Sequence, residues 1–246
     1  MKQQNKKKEP HWLTIASIVL IFIISLVLIL NKPIQNMMIV KGSNQYQLEN
    51  VSKKKIQQNE KAKTNFNFSS VRSVNFQSVL SSKLDSQQLP VVGEIAIPDL
   101  KINLPIFKGV GNSSLLYGAG TMKENEKMGE GNYALAGHNM TGFSSDLSIL
   151  FTPLKRAKPG MVIYVTDKEN IYKYKINKIR KVKPNHVEVI NDIPGKTEIT
   201  LVTCADIKAT QRIIVKGTYE GKESFKRATL EVKNAFERKY NQMSNL

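Results

Sequence analysis

Apolar positions fall into three regimes along the chain. Residues 12–30 are apolar almost without interruption and contain no charge, proline or glycine. As a helix this run would reach roughly 28 Å, close to the hydrocarbon thickness of a bilayer, which predicts one membrane-spanning helix. Residues 41–90 are rich in Gln, Asn, Ser and Lys, with apolar side chains only scattered, at Val51, Ile56, Phe66, Phe68, Val71, Phe76, Val79 and Leu80. That composition reads as a solvated stalk with helical stretches near 47–63 and 75–85. The pattern changes again at Leu89-Pro90. Short apolar or alternating runs then recur at 91–97, 102–107, 133–136, 161–166, 171–182, 187–190, 199–204 and 212–219. Turn signals separate them, among them Pro98-Asp99, Gly109 to Gly111, Pro159-Gly160, Pro184-Asn185 and Pro194-Gly195. Several β-branched runs so spaced predict a mainly antiparallel barrel or sandwich, not a βαβ repeat. A helical turn or two is expected at 145–156. The stripe Phe225, Thr229, Val232, Phe236, Tyr240 predicts a closing amphipathic helix. The expected organisation is a tail (1–11), a spanning segment (12–30), a stalk (31–88) and a β domain (89–246).

Charge orients this arrangement. Lys2, Lys6, Lys7 and Lys8 precede the apolar run, whereas only Lys32 and Lys41 follow it closely. The positive-inside rule therefore places the N-terminus in the cytoplasm and the β domain outside. A cleaved secretory signal is the competing reading. The run is longer than a typical h-region, however, and Asn31-Lys32-Pro33-Ile34 is not a small-residue cleavage site. Over its 246 residues the chain carries 37 Lys plus Arg against 20 Asp plus Glu, a net charge of +17, spread through all three regimes rather than packed into one patch. Such a spread suits an anionic membrane or wall polymer, and no DNA- or RNA-binding motif accompanies it.

One cysteine, Cys204, excludes an internal disulfide, and with two extracytoplasmic histidines it cannot furnish a structural zinc set. A lone cysteine is often just a small buried hydrophobe. Cys204, however, ends an alternating strand-like run where polar Ala205-Asp206 begins, in a domain facing an oxidising exterior where an idle thiol is a liability. His138 likewise follows a strand-like run into a turn, after Ala136-Gly137, whereas His186, in Pro184-Asn185-His186, reads as a surface residue. A thiol and an imidazole on a rigid β scaffold are the minimum for covalent acyl transfer, and Arg212, eight positions beyond the thiol, could supply charge to an oxyanion. Asp206 could orient an imidazole, but nothing in the sequence brings it to His138.

Thr200-Leu201-Val202-Thr203-Cys204 matches a TLxTC signature, preceded by Leu135-Ala136-Gly137-His138 and followed by Arg212. With the N-terminal anchor, the stalk, the entry 91–98 and the closing strand 212–215, the chain resembles a class A (housekeeping) sortase of the streptococcal type. The resemblance implies a closed β-barrel of about eight strands with short helices, a C-terminal helix and no pilus-type second anchor. It implies an LPxTG-specific cysteine transpeptidase. Cys204 would attack the Thr–Gly carbonyl to form a thioacyl-enzyme, His138 would serve as acid and then base, and Arg212 would steady the oxyanion or the peptide. Thr203, Val202 and Ala136 would line the substrate site. The partners implied are secreted proteins with LPxTG-type signals and the amine of the peptidoglycan precursor lipid II.

Some members of that family bind calcium through carboxylates upstream of the histidine and on a later loop. The matching positions here offer Glu126, Glu130 and Asp192, but Lys123 stands where another carboxylate would be wanted. An ammonium repels a hard cation, so neither calcium nor any other cofactor is expected. The run 108–114 has a glycine-loop look without the Gly-Lys-Ser/Thr ending of a phosphate cradle and reads as a turn. Two other functions compete with transpeptidation: a cysteine peptidase that hydrolyses the same intermediate, and a non-catalytic wall-binding module.

Overall fold

The computed structural model describes residues 11–71, 77–79, 81, 88–140, 149–206 and 208–237. The apolar run forms the start of helix α1 (His11–Gln45), whose segment His11–Asn31 is long and apolar enough to cross a membrane and has none of its surface buried by the rest of the protein. The helix does not stop where the apolar run does. It continues for 14 residues beyond Asn31, through Pro33, and meets the β domain along this stretch. Gln35, Asn36, Ile39 and Ser43, spaced three and four apart on one helix face, are buried there, and Ile39 belongs to the main hydrophobic core.

Eight strands form a closed barrel: β1 (Val91–Ile97), β2 (Ile102–Phe107), β3 (Ala119–Thr121), β4 (Asn132–Ala136), β5 (Val162–Thr166), β6 (Asn170–Val182), β7 (Glu198–Cys204) and β8 (Arg212–Ser224). Their order around the barrel is β1-β2-β3-β4-β7-β8-β6-β5, closed by the β1–β5 pairing. Closure removes exposed sheet edges. Neighbours are antiparallel except β2 with β3 and β4 with β7, which run parallel. The parallel β4–β7 pair is possible because a long connection, not a hairpin, joins those strands.

Strand β7 is buried on both faces, its threonines Thr200 and Thr203 included. Tyr133 and Leu135 of β4, Ile199 and Leu201 of β7, and Ile213 and Val215 of β8 fill the barrel. The alternate residues Ala134, Val202 and Ile214 belong to a second cluster on the outer face, completed by Val110, Leu115, Met122 and Val189. Period-two alternation thus assigns even-numbered residues of β4, β7 and β8 to the outer face.

Several expectations change. The apolar run 187–190 is not a strand but a 3-10 turn, Val187–Ile190, whose Val189 packs on the outer cluster. Strand β3 is too short, at three residues, for an alternating pattern to reveal it. A short helix, α2 (Asn112–Tyr117), follows the glycine-containing turn. At 145–156 the 3-10 turn Thr152–Arg156 is present, while 145–148 lie outside the described residues. The closing helix α3 (Leu230–Glu237) begins after Phe225, although the rings of Phe225 and Phe236 still meet at 6.1 Å; Tyr240 lies outside the described residues.

The largest difference concerns the stalk. Far from being a solvated spacer, residues up to 71 lie along the barrel. Leu48 and Ile56 are buried, and the Tyr46 ring stands edge-on to Phe107 at 5.2 Å. The Lys168 ammonium donates to the carbonyls of Leu48 and Val51, both at 2.7 Å, and the Asn59 side-chain amide donates to the Val91 carbonyl at 2.8 Å. These apolar residues follow no single period, so composition alone reads them as spacer.

Candidate active site

Register brings the three chemistry-bearing side chains into one row. Ala136 of β4 pairs with Val202 of parallel β7, so two residues further along each chain His138 comes beside Cys204. Cys204 pairs directly with Arg212 across the antiparallel β7–β8 ladder. Neighbouring strands lie about 4.8 Å apart, so imidazole, thiol and guanidinium are borne by three adjacent chains. All three residues line one groove of about 280 Å³.

Beyond the last ladder pair, short polar contacts keep β4 and β7 aligned. The Gly137 amide donates to the Val202 carbonyl at 3.0 Å, and the Thr203 hydroxyl donates to the Gly137 carbonyl at 2.7 Å. The Asn139 side-chain amide donates to the Cys204 carbonyl at 2.7 Å, and the Phe151 amide donates to the His138 carbonyl at 3.0 Å. Gly137 is required for this approach, because a Cβ there would stand 2.5 Å from the Phe151 ring. Asn139 is a site residue that sequence reasoning missed. It adjoins His138, but only the fold shows its reach to the thiol-bearing residue.

Ala136 and Val202 line the groove from the outer face. Thr203 also borders it, yet is 2 % exposed, and its hydroxyl is spent on Gly137. Its side chain therefore ties the strand ends together at the edge of the groove. Arg212 donates from Nη1 to the Ala209 carbonyl at 2.8 Å, which fixes its guanidinium on the β7–β8 turn. Asp206 accepts from the amide and hydroxyl of Thr210 and takes no part with His138. His186, at the groove mouth, is exposed and paired through Nδ1 with Glu188 at 2.8 Å.

Burial sets the resting ionisation. It pushes the Cys204 thiol up from its ordinary range; Arg212 pulls it back down and Asp206 adds a further rise. Burial also pushes His138 down to about 4, so its imidazole is neutral at physiological pH. The resting site thus pairs a neutral thiol with a neutral imidazole. Such a pair becomes nucleophile and acid when one proton crosses from sulfur to nitrogen.

The carboxylates at the positions where some family members bind calcium are otherwise engaged. Asp192 Oδ1 accepts from Lys123 Nζ at 2.6 Å and from the Asn132 amide at 2.7 Å. The two oxygens of Glu126 accept from the amides of Met122 and Ala134. A lysine on one carboxylate and backbone N–H groups on both oxygens of another do not fit a calcium ligand set.

The family model for the sortase domain matches residues 95–220, spanning β1 to β8 and all three side chains of the row. The chain belongs to the sortase family. It is 51 % identical over 248 residues to sortase A of Streptococcus agalactiae, covering 98 % of this chain and 99 % of that one. Sortase A of Listeria monocytogenes is 36 % identical over 89 % of this chain and 95 % of its own length. A solved structure of Listeria monocytogenes sortase A superposes with a TM-score of 0.54 at 39 % identity, covering 59 % of this chain and 96 % of that one. The sortase is thus of class A, a membrane-anchored cysteine transpeptidase, and its closed eight-stranded barrel is the sortase fold.

Proposed function

We propose that Cys204, His138 and Arg212 carry out the transpeptidation of an LPxTG-type sorting signal. The observation that carries this reading is the row formed by β4, β7 and β8, in which thiol, imidazole and guanidinium sit on adjacent strands and line one groove. The Cys204 proton passes to His138, and the thiolate attacks the Thr–Gly carbonyl. Arg212 stabilises the oxyanion that forms. As the C–N bond breaks, the imidazolium gives its proton to the leaving glycine amine, and a thioacyl-enzyme remains. An incoming amine of the peptidoglycan precursor lipid II then loses a proton to the neutral imidazole and attacks the thioester. The acyl group passes to that amine, and the thiol is restored. Ala136 and Val202 bound the groove that receives the peptide. In this reading the N-terminus is cytoplasmic, because lysines crowd that side of the apolar segment, and the barrel works at the outer face of the membrane.

The test uses the full chain in detergent with an LPxTG-containing peptide and an oligoglycine amine, followed by mass spectrometry. A thioacyl adduct on Cys204 and an amine-dependent ligated product are expected, both abolished in Cys204→Ala. Cleavage at a rate and with products indifferent to the amine would establish a peptidase instead. A folded chain giving neither adduct nor cleavage would refute the acyl-transfer reading.

A further inference from the structure

We propose that the segment joining anchor to barrel is part of the recognition groove, and that Phe68 and Val71 are specificity-determining residues for the apolar side chain at the head of the sorting peptide. The inference rests on the reading of the groove as the sorting-signal site.

Residues 64–71 are held on the barrel by a set of short polar contacts. The Val110 amide donates to the Asn65 carbonyl at 2.8 Å, and Asn65 Oδ1 accepts from the Asn67 amide at 2.7 Å. Asn65 Nδ2 donates to the Ser70 hydroxyl at 2.9 Å, which donates in turn to the Asn67 carbonyl at 2.7 Å. The Asn112 side-chain amide, at the start of α2, reaches the Ser70 carbonyl at 3.4 Å. These bonds stabilise the 3-10 turn Phe68–Ser70. They bring Phe68 and Val71 to the same groove that His138, Cys204 and Arg212 line.

The two side chains are placed differently. Val71 is half-buried and packs on the outer cluster that contains Leu115, Met122 and Val202. Phe68 remains 39 % exposed. A phenylalanine ring secured by its backbone yet left partly open in a groove gains most by covering a ligand's apolar surface. In an LPxTG-type peptide the apolar leucine lies three residues before the threonine that Cys204 attacks, about 10 Å away in an extended chain. The apolar lining that shares the groove with the thiol is where that side chain would lie. The wall is then composite: part barrel, part linker.

The experiment measures steady-state kinetics of the full chain in detergent micelles at saturating amine, on two peptides that differ only in leucine or alanine at the head position. Phe68→Ala and Val71→Ala are each expected to raise KM for the leucine peptide roughly tenfold. They should leave kcat within about twofold and move the leucine-to-alanine ratio of kcat/KM towards one. Phe68→Leu, which keeps an apolar wall, should retain the wild-type ratio. A merely structural role would slow both peptides alike, so an unchanged ratio in both alanine variants overturns the proposal, whatever the loss of activity. A wild-type chain inactive on both peptides would instead overturn the functional reading, and this inference with it.

Discussion

Two side chains set the reactivity of the thiol from opposite directions. Arg212 lowers the Cys204 pKa and Asp206 raises it, against a background of burial that holds it above the ordinary thiol range. Alkylation by iodoacetamide at pH 8 follows the thiolate fraction. It should therefore slow several-fold in Arg212→Ala and quicken in Asp206→Asn, as read by rate against pH. A second buried group acts on stability. Glu126 is pushed from 4.5 up to about 8, because burial outweighs the N–H donors and Lys123 that favour its charge. Below about 4.5 its carboxyl is protonated in folded and unfolded chains alike. Between 4.5 and about 8 only the unfolded chain releases the proton, so stability falls as pH rises through that window and levels off above it. Glu126→Gln has no proton to lose. The melting temperature of wild type minus that of Glu126→Gln should decline from pH 5 to pH 8 in thermal melts. A flat difference would show that the carboxylate is stabilised in place. At this scale the sequence was informative about residue identity alone: it singled out Cys204, His138 and Arg212, whereas ionisation depends on burial, which only packing decides.

At the scale of elements, the site depends on how β4 and β7 are kept in step beyond their last ladder pair. The Thr203 hydroxyl on the Gly137 carbonyl is one such restraint, inside the barrel and dry. Thr203→Val keeps the shape, removes the donor and leaves a buried carbonyl short of a partner, at a cost of about 1–3 kcal/mol in unfolding free energy. Its kcat should fall, because His138 and Cys204 are borne on the two ends that this bond joins. Chemical denaturation with parallel kinetics measures both effects. The strands themselves were legible because β-branched runs alternate between turn signals, and β1 and β2 match the predicted boundaries. What failed was the reading of short or doubly used segments. Within 187–190, Val189 and Ile190 are apolar because they pack on the outer cluster beside the groove, not because they extend a sheet. Thr203, which the family resemblance implied for the substrate site, does border the groove, but its hydroxyl is turned to the Gly137 carbonyl, a bond that no sequence pattern announces. Asn139 carried no recognisable pattern at all, since one amide reaching across 65 positions leaves no local trace.

For the whole molecule, the anchor and the barrel form one continuous object. Helix α1 enters the core through Ile39, and Gly42 lets it lie against the Tyr117 ring, where any Cβ would collide. Gly42→Leu should force the helix off the barrel. A lower melting temperature and new protease cleavage between residues 40 and 71 are expected, with the thiol still titratable. Unchanged proteolysis would mean that the docking survives the clash. A linker of Gln, Asn, Ser and Lys gave no warning of this, because its buried residues are few and irregularly spaced. Its contribution to the fold lies in backbone carbonyls taken up by Lys168 and in a handful of apolar contacts.

Helix α1, 35 residues without interruption, is about 52 Å from end to end. A flexible leash of similar length would let the groove sample a broad shell of heights and headings above the lipid. A rod seated in the barrel instead fixes the height at which the groove stands and the direction it faces. Each residue added or removed within that rod would shift the groove by about 1.5 Å along the helix axis and turn it by about 100° around that axis. On the proposed function, substrates and amine donors held in the same lipid sheet would be met by lateral diffusion at a fixed altitude, a two-dimensional search.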